Sequence, residues 1–134
     1  MASPSICLSE RVGFYGNSIG GTGPFLGLTE TVFQNVFESL DRETGAVRYR
    51  KDIREAQIGD WLSVCPSTAG GHNWPSTSFH PESKLLIAPL SQSCMEIAGQ
   101  DITIEAGRGG SGAVRMWMSM PGKEDLFGKW LPMT

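Results

Sequence analysis

Apolar residues in this chain fall into short runs separated by glycine- and proline-containing turns, as in proteins built from antiparallel sheets. Residues 76–79 and 85–89 read as two strands joined by His80-Pro81-Glu82-Ser83-Lys84, where proline presets the backbone angle for a turn. Residues 101–105 and 113–118 read as a second pair, joined by the glycine-rich 106–112 loop. Met116 and Met118 share one face of their strand, which suits packing. Residues 32–40 are ambiguous, since Val32, Phe33, Val36, Phe37 and Leu40 recur at helical spacing while Val and Phe favour strands. Residues 1–30 are rich in Ser, Gly and Pro and are expected to be irregular, apart from a short strand at 12–15. The pattern therefore points to an all-β fold, with an irregular segment over 1–30 and a sheet domain over 31–134.

Composition supports this without specifying a function. The chain has 134 residues, 40% of them hydrophobic, enough for one domain that buries most of its apolar surface. Its 17 glycines and 8 prolines are many for a helical protein. A formal charge of −3 with scattered signs argues against a nucleic-acid groove. Arg48, Arg50, Lys51, Asp52, Arg54 and Glu55 form a mixed-sign run that reads as a solvated edge. No stretch approaches the roughly eighteen apolar residues of a membrane span, and the first eight residues lack the charged start and apolar core of a secretory signal.

The segment CPSTAGGHNWPSTSFHPESKLLIAPLSQSC, from Cys65 to Cys94, carries the most chemical information. Gly70 and Gly71 permit backbone angles closed to other residues, so Asn73 and Trp74 can be presented at a tight turn. An amide that donates and accepts, beside an indole, suits a flat polar ligand. On residues alone, the turn residue bonding its own backbone is the favoured reading of Asn73, and Trp74 reads nearly as well as a core residue. Cys65 and Cys94 read as either two buried thiols or a bridge, and Cys7 has no obvious partner.

This segment resembles the pyrroloquinoline-quinone (PQQ) dependent alcohol dehydrogenases, in which Cys-Pro-Ser, Gly-x-x-Asn and a second Cys follow in the same order. The resemblance implies a Cys65–Cys94 disulfide and places Asn73, with Trp74 beside it, at the quinone. It also favours a strand over 35–40, turning through Asp41-Arg42-Glu43-Thr44-Gly45 into a strand over 46–49. It begins near Gln34 and fades after about Gly128. The family's enzymes are periplasmic eight-bladed β-propellers several times this length, so the resemblance implies a fragment equivalent to one to two blades. Their calcium ligands and catalytic aspartate have no counterpart here. Alignment also puts Phe33 or Gln34 where the family has a cation against the quinone. An intact parent would oxidise a small alcohol with PQQ and calcium, and this chain alone is expected to be inactive. The alternative is a non-catalytic β module that self-associates through open sheet edges. The segment 128–131 reads as the first residues of a further propeller strand that does not complete.

Two short motifs point elsewhere and are weaker. Gly16-Asn17-Ser18-Ile19-Gly20 fits the nucleophile elbow of serine hydrolases, with Asp60 and His72 following in hydrolase order. Too little chain precedes Ser18 to build the strands and oxyanion loop such a site needs. Gly107-Arg108-Gly109-Gly110-Ser111-Gly112 fits a dinucleotide-binding loop, but alternation over 114–118 favours a hairpin over the helix that loop requires. His72 and His80 lack zinc-ligand spacing with the cysteines.

Overall fold

The computed structural model describes residues 4–7, 14–19, 25–41, 43–107 and 110–133, and over these the regular secondary structure is almost entirely antiparallel sheet. Strands β1 (Pro4–Cys7), β2 (Phe14–Ile19) and β3 (Phe25–Glu30) form a first sheet with β2 central. This corrects the expectation of an irregular 1–30. The glycines that read as loop punctuation lie within the ladder, where Gly16 pairs with Leu28 and Asn17 with Gly27. Residues 12, 13, 20, 42, 108 and 109, on which earlier readings partly fall, lie outside the described residues.

Strands β4 (Phe37–Leu40) and β5 (Val47–Tyr49) form the hairpin expected around Asp41–Gly45, so 32–40 is not helical. Its turn is held by the Asp41 carboxylate, which accepts from the N–H of Glu43 at 2.8 Å and of Thr44 at 3.1 Å. Those bonds hold its pKa below the usual carboxylate value. Gly45 takes φ +74°, which an L side chain resists. A single helical turn, α1 (Lys51–Glu55), follows.

Two three-stranded sheets carry the core. In one, β9 (Ser93–Gly99) lies between β6 (Trp61–Val64) and β10 (Ala113–Ser119); in the other, β8 (Leu85–Ser91) lies between β7 (Ser78–His80) and β11 (Gly128–Met133). Only Gln92 separates β8 from β9, so the chain steps directly from the centre of one sheet to the centre of the other. Directly opposed residues of antiparallel strands share a face. Ala88 with Leu131, and Leu90, therefore form the inner face of one sheet, and Cys94 with Met118 that of the other. Val32, Cys65 and Met120 complete this core.

Four expectations change here. The segment 101–105 alternates like a strand but does not form one, and Ile104 is largely exposed. The partner of β10 is β9, which the sequence did not reveal because its residues are buried on both faces and do not alternate. Strand β6 was likewise unanticipated. The segment beginning at Gly128 is a full strand, paired with β8 from Gly128↔Ser91 to Met133↔Leu86. No helix among the described residues is long and apolar enough to cross a membrane.

Candidate functional site

Strand β6 ends where Val64 pairs with Met95, which brings the next residue, Cys65, beside Cys94. The two are joined by a disulfide, both sulfurs lying in the core. The peptide bond between Cys65 and Pro66 is cis. Beyond it the chain is tied to the β8–β9 junction by hydrogen bonds. The Ser67 N–H donates to Ser93 O at 2.7 Å, and the buried Ser67 and Ser93 hydroxyls bond each other at 2.8 Å. Gly70, at φ +52°, turns the chain back with its N–H on Ser67 O at 2.7 Å. Gly71 O then accepts from the Ser91 N–H at 2.6 Å. Asn73 thus projects from a turn anchored covalently at one end and by backbone bonds at the other.

Behind the disulfide, Asn35 clamps the same segment. Its Oδ1 accepts the Cys65 N–H at 2.7 Å, its own N–H donates to Cys65 O at 2.9 Å, and its amide donates to Ser63 O at 3.3 Å. Arg50 holds the clamp: one guanidinium nitrogen donates to Asn35 O and Ser63 O, each at 3.0 Å. The rest of the guanidinium pairs with Asp52, whose carboxyl is held below its usual pKa by that hydrogen bond. The charged run at 48–55 is therefore more than a solvated edge. Gln34 accepts the N–H groups of Val36 and Phe37 at 2.9 Å each through its Oε1 and so caps a local turn.

A cleft of about 550 Å³ opens beside this turn, with Gly71, Asn73 and Pro75 on one wall. The other wall comes from Leu90 and Ser91 of β8 and from Phe127, Lys129 and Trp130 at β11. Buried Gln92 fixes the approach to β11, its N–H donating to Phe127 O at 2.6 Å and its amide to Leu126 O at 3.2 Å. Asn73 is half-buried, and among the described residues its side chain bonds neither its own backbone nor a neighbour. Such an unpaired amide, lining a largely apolar cleft together with Phe127 and Trp130, can hydrogen-bond a flat molecule carrying carbonyl or carboxylate oxygens. Trp74 is 89% exposed and is neither a core residue nor among the residues lining this cleft.

The hydrolase reading loses its geometry. Ser18 lies within β2, paired with Ser5 on one side and Phe25 on the other, where the motif requires a strand-to-helix turn. Asp60 is exposed and accepts the Gln57 N–H at 2.8 Å, closing its own turn, while His72 is buried. The loop at 106–112 leads into β10 and not into a helix. Ser91 and Lys129 were missed from sequence, because their place in the cleft follows from the pairing of β8 with β11.

No family model matches the chain. It is similar to the lanthanide-dependent methanol dehydrogenase of Methylacidiphilum fumariolicum (strain SolV), 26% identical over 130 residues, which are 96% of this chain and 21% of that protein. It is also similar to the dehydrogenase subunit of the quinone alcohol dehydrogenase of Gluconacetobacter polyoxogenes, 29% identical over 63% of this chain and 11% of the relative. Among solved structures, a europium-containing methanol dehydrogenase superposes with a TM-score of 0.78 at 24% identity, over 91% of this chain and 21% of that one. The quinohemoprotein alcohol dehydrogenase from Comamonas testosteroni superposes with a TM-score of 0.57 at 21% identity, over 67% of this chain and 13% of that one. The chain thus spans about a fifth of the longest-matching relatives or less, and the similarity reaches into the first thirty residues, where none was read from sequence.

Proposed function

We propose that this chain, which matches a segment of the PQQ-dependent methanol and alcohol dehydrogenases, supplies one wall of a quinone site through Asn73. The observation that carries the reading is the unpaired Asn73 amide beside the cleft, on a turn tied down by the disulfide. The residues present fit such a group: Asn73 would hold an oxygen of the quinone, while Pro75 and Trp130 bound its apolar body. PQQ, when bound, would accept the electrons removed from an alcohol. This chain's contribution is to bind and orient. Oxidation of an alcohol by the whole protein is part of the proposal, and no metal ligand is assigned to these residues. Turnover by the chain alone is not expected, because one amide cannot replace the electrostatic and metal assistance that such chemistry requires.

Titration of the chain with PQQ, followed through quenching of tryptophan emission, tests this. Saturable quenching is expected, weakened about fivefold or more in Asn73→Ala, the loss of about one hydrogen bond. No saturable quenching, or equal affinity of Asn73→Ala and the unaltered chain, would overturn it.

A second reading follows from the surface. All four tryptophans, Trp61, Trp74, Trp117 and Trp130, are at least half exposed. Strands β6, β10, β7 and β11 are sheet edges among the described residues. A β module that self-associates through these faces accounts for both.

A further inference from the structure

We infer that the self-association proposed above, on which this rests, runs through the edge of β10: two copies of the chain lay their β10 strands antiparallel about a two-fold axis at Met116. At seven residues β10 is the longest edge strand among those described, and it pairs with β9 without a bulge from Ala113↔Gly99 to Ser119↔Ser93. Among the described residues no strand lies on its other side, and the backbone bonds outside the ladders leave Val114 to Met118 untouched. The other edges of the two core sheets are blunted in ways that discourage pairing. β6 has four residues and β7 three, while β11 carries Lys129 and Pro132. β10, reading Ala-Val-Arg-Met-Trp-Met-Ser, has no proline, glycine or lysine.

The side chains select the register. A two-fold axis perpendicular to the sheet returns each face to itself, so opposed residues are both odd-numbered or both even-numbered. An axis at Arg115 opposes two arginines, which is unfavourable. An axis at Trp117 sets Ala113 and Val114 against residues beyond the end of the partner strand. An axis at Met116 pairs all seven residues, with Arg115 opposite Trp117 twice and Val114 opposite Met118 twice. Val114, Met116 and Trp117 are exposed in the single chain, so this pairing covers apolar surface. The Arg115 guanidinium donates to the Ser111 hydroxyl and belongs to none of the three ion pairs among the described residues, which join Arg48 to Glu38, Arg50 to Asp52 and Lys51 to Glu55. Set across from an exposed indole, a cation without an acid partner gains a cation–π contact. Because each β10 edge is consumed by the other, association closes at a dimer.

Sedimentation velocity of the whole chain, of Trp117→Arg and of the double variant Arg115→Glu/Trp117→Arg tests the register, with thermal melting to verify folding. The expected mass rises to twice 14.5 kDa and stops there. Trp117→Arg opposes arginines twice and should raise the dissociation constant about tenfold or more; the double variant opposes glutamate to arginine twice and should return it to within about threefold of the unaltered chain. Oxidative cross-linking in a Cys7→Ser background is the second measurement. Met116→Cys should give a disulfide-linked dimer, because opposed Cα atoms lie about 4.5–5.5 Å apart. Val114→Cys should not, because its two copies stand four residues apart along the ladder, about 13 Å. Association that Trp117→Arg leaves unchanged, a double variant no tighter than Trp117→Arg, growth past a dimer, or cross-linking at Val114 in place of Met116 would overturn the β10 pairing while the association reading stands. A chain that stays monomeric removes both. Should Trp117→Arg fail to fold, cross-linking decides alone.

Discussion

At the scale of single residues, the side chain that organises the site most is Asn35, which touches no ligand position. It holds the end of β6 through three separate groups: its Oδ1 and its own N–H bond the Cys65 backbone, and its amide nitrogen donates to Ser63 O, two residues earlier. Asn35→Ala would leave the Cys65 N–H without its acceptor in a half-buried place. The expected loss of stability is about 1–3 kcal/mol, read from urea unfolding. A change under about 0.5 kcal/mol, the ordinary range for surface substitutions, would mean that water replaces the amide and that the clamp is not structural. Arg50 is the natural partner in this role, because one guanidinium nitrogen serves two carbonyls while the others face Asp52, an arrangement that a lysine ammonium does not reproduce. These roles explain why the charges at 48–55 could not be interpreted from their sequence alone. Whether an arginine lies in solvent or bridges two backbone segments depends on what the fold brings opposite it.

At the scale of elements, the disulfide ties the end of β6 to β9 and closes a loop of sequence separation 29. In the chain-entropy model, opening a loop of that length costs about 3.5 kcal/mol, so reduction or the Cys65→Ala/Cys94→Ala pair should lower the unfolding free energy by about that amount. Quenching by PQQ should be lost in parallel, because the Gly70–Asn73 turn hangs from Cys65. Unfolding midpoints that coincide with and without reductant would refute the structural role. The strands flanked by strong turn signals were legible in sequence: β8 and β10 lie where the pattern put them, give or take a few residues, whereas the Asp41–Gly45 hairpin was placed by the family resemblance and not by the pattern. Two kinds of element were not. Strand β9 is covered on both faces and so shows no alternation, while 101–105 alternates and yet is not a strand. Alternation reports one wet face and one dry face, and it is silent about a strand with two dry ones. The site divides the same way. The Gly70-Gly71-His72-Asn73 turn and the cysteines can be read locally, whereas Lys129 acquires its meaning only through its register with Leu90.

At the scale of the whole molecule, surface area decides what the folded chain still needs. Its accessible surface is 9131 Å², against about 6,900 Å² expected for a compact monomer of 14.5 kDa. The excess is not merely polar fringe. Trp61 and Val114 both pair with Ala98, forming an apolar row across the β6–β9–β10 sheet, with Trp61 51% and Val114 45% exposed. Trp117 stands on the opposite face, 56% exposed. Apolar side chains exposed near both edges of this sheet, with β6 and β10 unpaired on their outer sides among the described residues, favour pairing with another sheet. In solution, for this chain alone, that is a second copy. Sedimentation velocity over a hundredfold concentration range should therefore show a weight-average mass rising above 14.5 kDa. Trp61→Lys with Trp117→Lys should shift that rise to higher concentration, because each places a charge in the contact. The quinone reading and the association reading are tested independently of each other. If the exposed faces are surfaces that the rest of a longer protein covers, PQQ should not change the association, since the Asn73 cleft lies between the 71–75 turn and β11, apart from the Trp61–Val114 row. If association is the function, blocking it with the two lysines should leave PQQ quenching unchanged, and a chain that stays monomeric throughout the range would remove the association reading altogether.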